Sequence, residues 1–568
     1  MSEPLTSFPE KPSQTTAARV GWAFLILATL YVCYFSHLGA IGFVGPDEPR
    51  YAWIARDMAE TGDWVTPRLY GKPWFEKPPL YYWGAALCFK VIGVSEAAAR
   101  LPSAICALLA TLALAWLACR LYGEETARWL MLLLPTTVGM IGFSRAAATD
   151  MPFSAMLTIA MVFAAIVIRL APAEEGGASP SPANPTTPWL ALLLFGFFLG
   201  LAVLAKGPAA IILSGGAIFF WAIFTKRWRD AFRLFHPAAI ATFGLTALPW
   251  YILCARRNPD FFRIFIIEHN FKRFLTPEFQ HIQPFWFYLP IVVAALLPWS
   301  VFSACAGITG ARRLWLFRAL HPVSLFFFCW PAFTVLFFSV SRSKLPGYIL
   351  PALPPLTLFT ARAITLHMEK KSGRWVFCMG GLTLVLMGVL AFLFSENIPF
   401  VTDIRPSPGV TKIALLAILG GMIATTLASL RRTTPATLIM VLAVVSLLSW
   451  SLSQWDYREL DAGVSARPGV KVALEHLTPQ QASAATVFKL RRSYKYQVDF
   501  YLHRETQEWS PQREGLAIVF TDYANARELE QLGGWCPRYI AFPRVWVCEA
   551  GKGFPILMHG PAGSGQPK

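Results

Sequence analysis

The chain of 568 residues is 55% hydrophobic and 15% charged, with a mean hydropathy of +0.47. A soluble chain carries about 25% charged residues, so a water-soluble globule is excluded and a membrane protein is indicated. The formal net charge of +17 does not signal nucleic acid, because the cations stand in short clusters between apolar runs, such as Lys226-Arg227-Trp228-Arg229, Arg312-Arg313, Lys370-Lys371 and Arg431-Arg432. No soluble unit carries a basic stripe able to hold a duplex.

Residues 1–20 read as a cytoplasmic N-terminal tail. Apolar runs of about 20 residues, the length that crosses a bilayer, then recur thirteen times: 21–43, 99–120, 127–147, 151–172, 188–206, 207–224, 234–254, 285–307, 323–341, 346–363, 375–396, 411–430 and 435–453. The first follows Lys11 and Arg19 and has no A-x-A site at its end, so it reads as a retained helix. With the N-terminus inside, the short basic loops near 120–128, 225–233, 308–319, 364–374 and 431–433 share the inner side, as the positive-inside rule requires. Segments 44–98, 255–284 and 397–410 and the tail 454–568 then face outward. The 173–187 linker, with Glu174-Glu175, does not support this scheme.

The spans are clean of acidic relays, and charge gathers in the outward loops. The first of these carries Asp47-Glu48 directly after the first span and Glu76-Lys77 among aromatic residues. Carboxylates at this depth suit chemistry on a lipid head group, and equally suit capping of a helix that begins near Pro49. Asp150, before Met151-Pro152, has the same two readings. Lys77, Lys206 and the segment Arg342-Ser343-Lys344-Leu345-Pro346-Gly347-Tyr348 offer cations at one predicted depth. Each alone reads as a snorkelling residue; together they suit a phosphodiester or pyrophosphate. His269, in Glu268-His269-Asn270-Phe271-Lys272-Arg273, pairs with Glu76 as a candidate for a divalent ion shared with water or substrate.

The tail 454–568 reads as a small α/β unit. Strands are expected at 486–490, 497–502, 516–521 and 539–547, and helices at 470–477 and 524–532. Eight cysteines lie in or beside the apolar two-thirds without a CxxC pattern; Cys536 and Cys548, in the tail, are able to form a disulfide if the tail faces an oxidising compartment, and the sequence leaves open whether they do.

The ordered motifs GPDEPRY, YGKPWFEKPPLYYW, TDMPF, LAKGP, EHNFKRF followed by PFWFYLP, and SKLPGYILPALPPL resemble those of the bacterial aminoarabinose transferases that modify lipid A. These belong to the protein-O-mannosyltransferase-like group of GT-C glycosyltransferases. The resemblance implies a polytopic α-helical GT-C fold of about thirteen transmembrane helices with a small periplasmic C-terminal domain. It also implies an inner-membrane enzyme using a polyprenyl-phosphate sugar, undecaprenyl phosphate in particular, with lipid A or another envelope glycan as acceptor. Carried over position by position, Asp47, Glu48 and Asp150 are the acidic candidates for catalysis. Lys77, Lys206 and Arg273, with Arg342, Lys344 and Tyr348, would hold the donor phosphate. Glu76 and His269 match positions that bind a metal in the family, so one divalent ion, Zn or Mg/Mn, is implied. A protein O-mannosyltransferase-like activity stays open within the enzyme class. A lipid-linked sugar flippase, which would need ionisable residues inside spans or inverted repeats, and a non-catalytic scaffold are the readings from other classes.

Overall fold

The structure, a computed structural model, describes residues 16–170, 188–272, 283–317, 321–370, 374–397, 408–430, 435–453, 457–512, 517–536 and 545–550. The 173–187 linker, the loop 398–407, Arg273 and part of the strand expected at 539–547 lie outside them, and the His269 side chain is likewise undescribed.

Every one of the thirteen apolar runs falls on a helix or a bent helix pair. Among the described residues, seven helices are long and apolar enough to cross a membrane: Thr16–Phe35, Glu96–Tyr122, Asp150–Val167, Trp189–Lys206, Pro237–Arg257, Pro322–Val340 and Pro346–Leu366. Counting each of two bent pairs as one span gives nine. Five shorter apolar helices accompany them, at Leu80–Ile92, Ala209–Thr225, Val376–Val389, Ile413–Ser429 and Thr437–Ser451.

The bent pairs are Glu124–Leu133 with Val138–Ser144, at 65°, and Phe285–Ala295 with Ser300–Gly310, at 119°. A break frees backbone groups that lipid cannot satisfy. Here the two breaks satisfy each other. The Val138 N–H donates to the Leu297 carbonyl at 3.0 Å, and Trp299 Nε1 donates to Thr136 Oγ1 at 2.8 Å. Thr137 caps the second half of its pair by accepting from the Met140 N–H.

Asp150–Val167 is the central helix, with nearly all of its residues buried. Pro152 sits in its first turn, where a missing N–H costs nothing. Trp189–Lys206 packs against it and in turn against Pro237–Arg257. That second pair comes so close that a Cβ on Gly196 would strike the Ala239 carbonyl.

The segment 44–98, expected as the first outward loop, is itself ordered: helix Asp47–Thr61, a two-stranded ribbon at Arg68–Leu69 and Lys72–Pro73, and helix Leu80–Ile92. Over it sits the tail unit, a four-stranded sheet in the order Thr486–Val487, Ala517–Thr521, Trp546–Ala550, Gly534–Trp535 with helices including Arg467–His476 and Tyr523–Gln531. Cys536 and Cys548 are joined by a disulfide. Residues 497–502, expected as a strand, are instead the end of helix Arg492–Leu502. This helix is buried on two sides: Val498 enters the tail's own core, whereas Phe500 packs with Phe43, Tyr51 and Tyr81 of the loop. Burial on both sides gives a run of alternating character that imitates a strand.

Candidate functional site

Glu48 is the hinge of the site. It is 6% exposed, and both of its oxygens are engaged. Oε2 accepts from the Val44 N–H at 2.7 Å and from Arg100 Nη2 at 2.7 Å; Oε1 accepts from the Ala147 N–H at 2.7 Å and from Arg100 Nε at 3.1 Å. Arg100, from helix Glu96–Tyr122, also donates to the carbonyls of Leu38, Ile41 and Gly42. A buried ion pair is tolerable when its remaining donors are satisfied in this way. The clasp binds the start of the Asp47 helix to the turn before Asp150. Glu48, one of the three acidic candidates, is therefore turned inward, while neighbouring Asp47 is half exposed.

Asp47 begins a chain of alternating charge. Arg50, one turn along the helix, donates to Asp47 Oδ1 and, through Nη1 at 3.0 Å, to Glu76 Oε2. Lys77 Nζ stands 3.9 Å from the other Glu76 oxygen. Burial opposes the charge on Arg50, yet Glu76, Tyr51 and Asp47 together hold its pKa above the ordinary arginine value. Three rings surround its guanidinium, those of Tyr51, Trp74 and Tyr496, at 5.4–5.7 Å.

The second cluster is built on Asp150. Lys206, the last residue of its helix before Gly207 at φ +86°, donates to Asp150 Oδ1 at 2.5 Å. Its ammonium lies 4.6 Å from the Tyr348 ring centre and 5.5 Å from that of Phe153. The turn carrying Tyr348 approaches so closely that a Cβ on Gly347 would lie 2.9 Å from Asp150 Oδ1. The sequence motifs LAKGP, TDMPF and LPGY thus meet at one point.

One aromatic cluster joins the two charged groups. Phe75, beside Glu76, and Leu204, two residues before Lys206, pack with Trp250, Phe261 and Phe265. Phe75 and Phe261 meet edge to face with centroids 5.2 Å apart. Latches fix the loop to the Pro237–Arg257 helix: Trp250 Nε1 donates to the Val65 carbonyl at 2.9 Å, and Arg257 pairs with Asp63 at 3.1 Å.

The segment 342–348 divides. Arg342 is exposed, whereas the Lys344 ammonium turns inward and donates to the carbonyls of Ser341 at 2.6 Å and Gln283 at 3.0 Å. Burial, and then Arg342, lower the Lys344 pKa. Arg50 and Lys77 face the two Glu76 oxygens with positive charge, and the His269 side chain, the other half of the expected metal pair, lies outside the described residues. Among the described residues no group of three His, Cys, Asp or Glu side chains converges as metal ligands would.

Arg50, Arg100 and Tyr496 were not singled out by their sequence surroundings. Arg50 stands inside the GPDEPRY motif, three residues from Asp47 at helical spacing, and this i,i+3 relation was the available signal. Arg100 and Tyr496 are joined to the loop only by the fold.

Comparison with known proteins agrees with this architecture. The family model described as dolichyl-phosphate-mannose-protein mannosyltransferase matches residues 19–265. The solved structure of ArnT from Cupriavidus metallidurans bound to undecaprenyl phosphate superposes with a TM-score of 0.75 at 21% identity, covering 96% of this chain and 100% of that one. The class defined is the GT-C membrane fold.

The undecaprenyl phosphate-alpha-4-amino-4-deoxy-L-arabinose arabinosyl transferase of Aeromonas salmonicida is 32% identical over 446 residues, 76% of this chain and 77% of the relative. The protein of that name from Erwinia tasmaniensis is 34% identical over 318 residues, and there the match spans only 54% of the relative's length. The chain belongs to the undecaprenyl phosphate–aminoarabinose arabinosyl transferase family.

Proposed function

We propose that the chain transfers 4-amino-4-deoxy-L-arabinose from undecaprenyl phosphate to a phosphate of lipid A, at the outer face of the bacterial inner membrane. The observation that carries this reading is the pairing of two cation–carboxylate clusters, Asp47–Arg50–Glu76–Lys77 and Asp150–Lys206, across one aromatic wall. A lipid-phosphate leaving group needs its negative charge neutralised more than it needs a proton, and preorganised cations supply that.

In the proposed reaction an acceptor phosphate oxygen attacks the anomeric carbon from the face opposite the leaving group. The bond from that carbon to the undecaprenyl phosphate oxygen breaks, its electron pair leaves with the phosphate, and the configuration inverts. Lys206 and Lys77, with Arg273, meet the leaving phosphate; Tyr348 walls the Lys206 ammonium, and exposed Arg342 extends the positive edge. Asp150 holds Lys206 until the phosphate competes for it. Asp47 orients the acceptor or the sugar amine, and no base is required because a phosphate monoester is already largely ionised at neutral pH. Glu48 and Lys344 hold the scaffold. No step is routed through a metal.

The topology follows. We read the seven long helices, the two bent pairs and four of the five shorter apolar helices as thirteen spans, with Leu80–Ile92 in the first outward loop. A tail that docks on that loop shares its side of the membrane, and the Cys536–Cys548 disulfide suits an oxidising periplasm.

Mass spectrometry of lipid A from a deletion strain and its parent tests the substrates. Loss of the aminoarabinose adduct is expected; an unchanged lipid A with loss of another glycan would replace the acceptor. Purified Asp47→Asn protein in proteoliposomes tests the site. Turnover near the wild-type level would remove Asp47 from the chemistry.

A further inference from the structure

One ring of the tail unit reaches the charged site. Helix Arg492–Leu502 is fastened to the first outward loop at its C-terminal end. Tyr70 donates to Asp499 Oδ2 at 2.6 Å, Tyr501 donates to Glu96 at 2.8 Å, and Arg56 reaches the Phe500 carbonyl at 3.4 Å. A second tie, Arg467, bonds Asp461 and the Gly39 carbonyl and stands 3.3 Å from Glu96. The docked helix sets Tyr496 with its ring centre 5.4 Å from the Arg50 guanidinium, and stacks it on Tyr70.

The Arg50 side chain touches both Asp47 and Glu76. Its guanidinium plane sets where those two carboxylates stand, and through Glu76 it bears on Lys77. Trp74 and Tyr51 come from the loop itself, so Tyr496 is the only one of the three surrounding rings supplied by another unit.

We infer that Tyr496 is a positioning residue for the transfer reaction: its ring holds Arg50, so that the C-terminal unit is a working part of the site. This rests on the proposed function for its activity readout. It also makes a physical claim that holds without that function, namely that the ring shields Arg50.

Steady-state kinetics with undecaprenyl-phosphate-aminoarabinose in proteoliposomes, on the full-length chain, read the first claim. Tyr496→Leu keeps an apolar but smaller side chain and removes the π face; Tyr496→Phe keeps the face and removes the hydroxyl. Expected is a drop in kcat of roughly ten-fold for Tyr496→Leu, the scale of a desolvated cation–π contact, with the donor KM within about two-fold of wild type. Tyr496→Phe should stay within about two-fold in both. Wild-type kcat in Tyr496→Leu, or an equal fall in Tyr496→Phe, overturns the assignment.

Labelling with phenylglyoxal, followed by peptide mass spectrometry of Arg50, reads the second claim. Arg50 should react slowly in wild type and Tyr496→Phe and several-fold faster in Tyr496→Leu, at unchanged thermal midpoint. Equal labelling in all three overturns the inference. If the wild-type protein transfers nothing from this donor, the transferase reading fails and the labelling alone decides the role of Tyr496.

Discussion

Residues 38–257 are tied together by charge and hydrogen bonds, whereas the helices between Arg374 and Ser453 are tied by close backbone approach. In the first region Glu48–Arg100, Asp150–Lys206 and Asp63–Arg257 each join two separate elements. In the second, the helices Arg374–Asn397 and Pro408–Ser429 meet at facing glycines. A Cβ on Gly381 would lie 2.8 Å from the Gly421 carbonyl. Both regions solve the same problem, holding helices together where apolar burial gives little drive. Polar ties also fix the orientation of side chains, which a reacting site requires; glycine contacts fix only spacing.

That contrast can be broken most severely at Arg100. Arg100→Ala leaves Glu48 charged and buried without its partner, and loss of one member of such a pair costs about 3–5 kcal/mol. Thermal unfolding in detergent should show a large fall in midpoint and a poor yield of folded protein. A fall of only a degree or two would show that Glu48 finds other partners and that the clasp does not organise the loop.

Lys206→Gln should separate holding from chemistry. Removing one preorganised charge from a developing anion costs about 10²–10³ in kcat, so turnover in proteoliposomes should drop by that factor while the protein stays folded. A drop below ten-fold would shift the phosphate-neutralising role to Lys77 and Arg273.

How much of this was legible in the sequence depends on distance along the chain. The helices were readable because span length and hydropathy are local properties. Asp47, Asp150, Lys206 and Tyr348 stand out because each lies near the end of an apolar run, where charged and aromatic residues draw attention. What was hidden lies in pairings across the chain. Glu48 and Arg100 are 52 residues apart, Glu48 and Ala147 are 99 apart, and Tyr70 and Asp499 are 429 apart. No periodicity reports such contacts, so Glu48 looked like a twin of Asp47 although the fold turns one inward and leaves the other at the surface. Lys344 likewise looked like a neighbour of Arg342 in function, and the bend after Ser341 turns its ammonium onto backbone carbonyls.

In the glycine-tied region the effects should fall on stability alone. Gly381→Ala presses a methyl group against the Gly421 carbonyl and Thr425, and overpacking of this kind costs about 1–3 kcal/mol. The unfolding midpoint should fall while turnover per folded molecule stays within about two-fold. A kinetic loss at unchanged midpoint would mean that these helices also orient the site, and the contrast between the two regions would not hold.

The smallest effect expected is a pH dependence of tail docking at Asp499. Burial raises its carboxyl above the ordinary carboxylate value, although hydrogen bonds from Thr506 and Tyr70 and the charge on Lys495 pull the other way. A carboxyl whose folded-state pKa exceeds its unfolded one binds its proton more tightly when folded. Its contribution to stability is therefore full below the unfolded value and declines as pH rises through the raised folded value. Thermal unfolding between pH 4 and pH 7 should show wild type losing stability relative to Asp499→Asn as pH rises. Parallel curves would place the proton on another group and separate the pH response of the docked helix from Asp499.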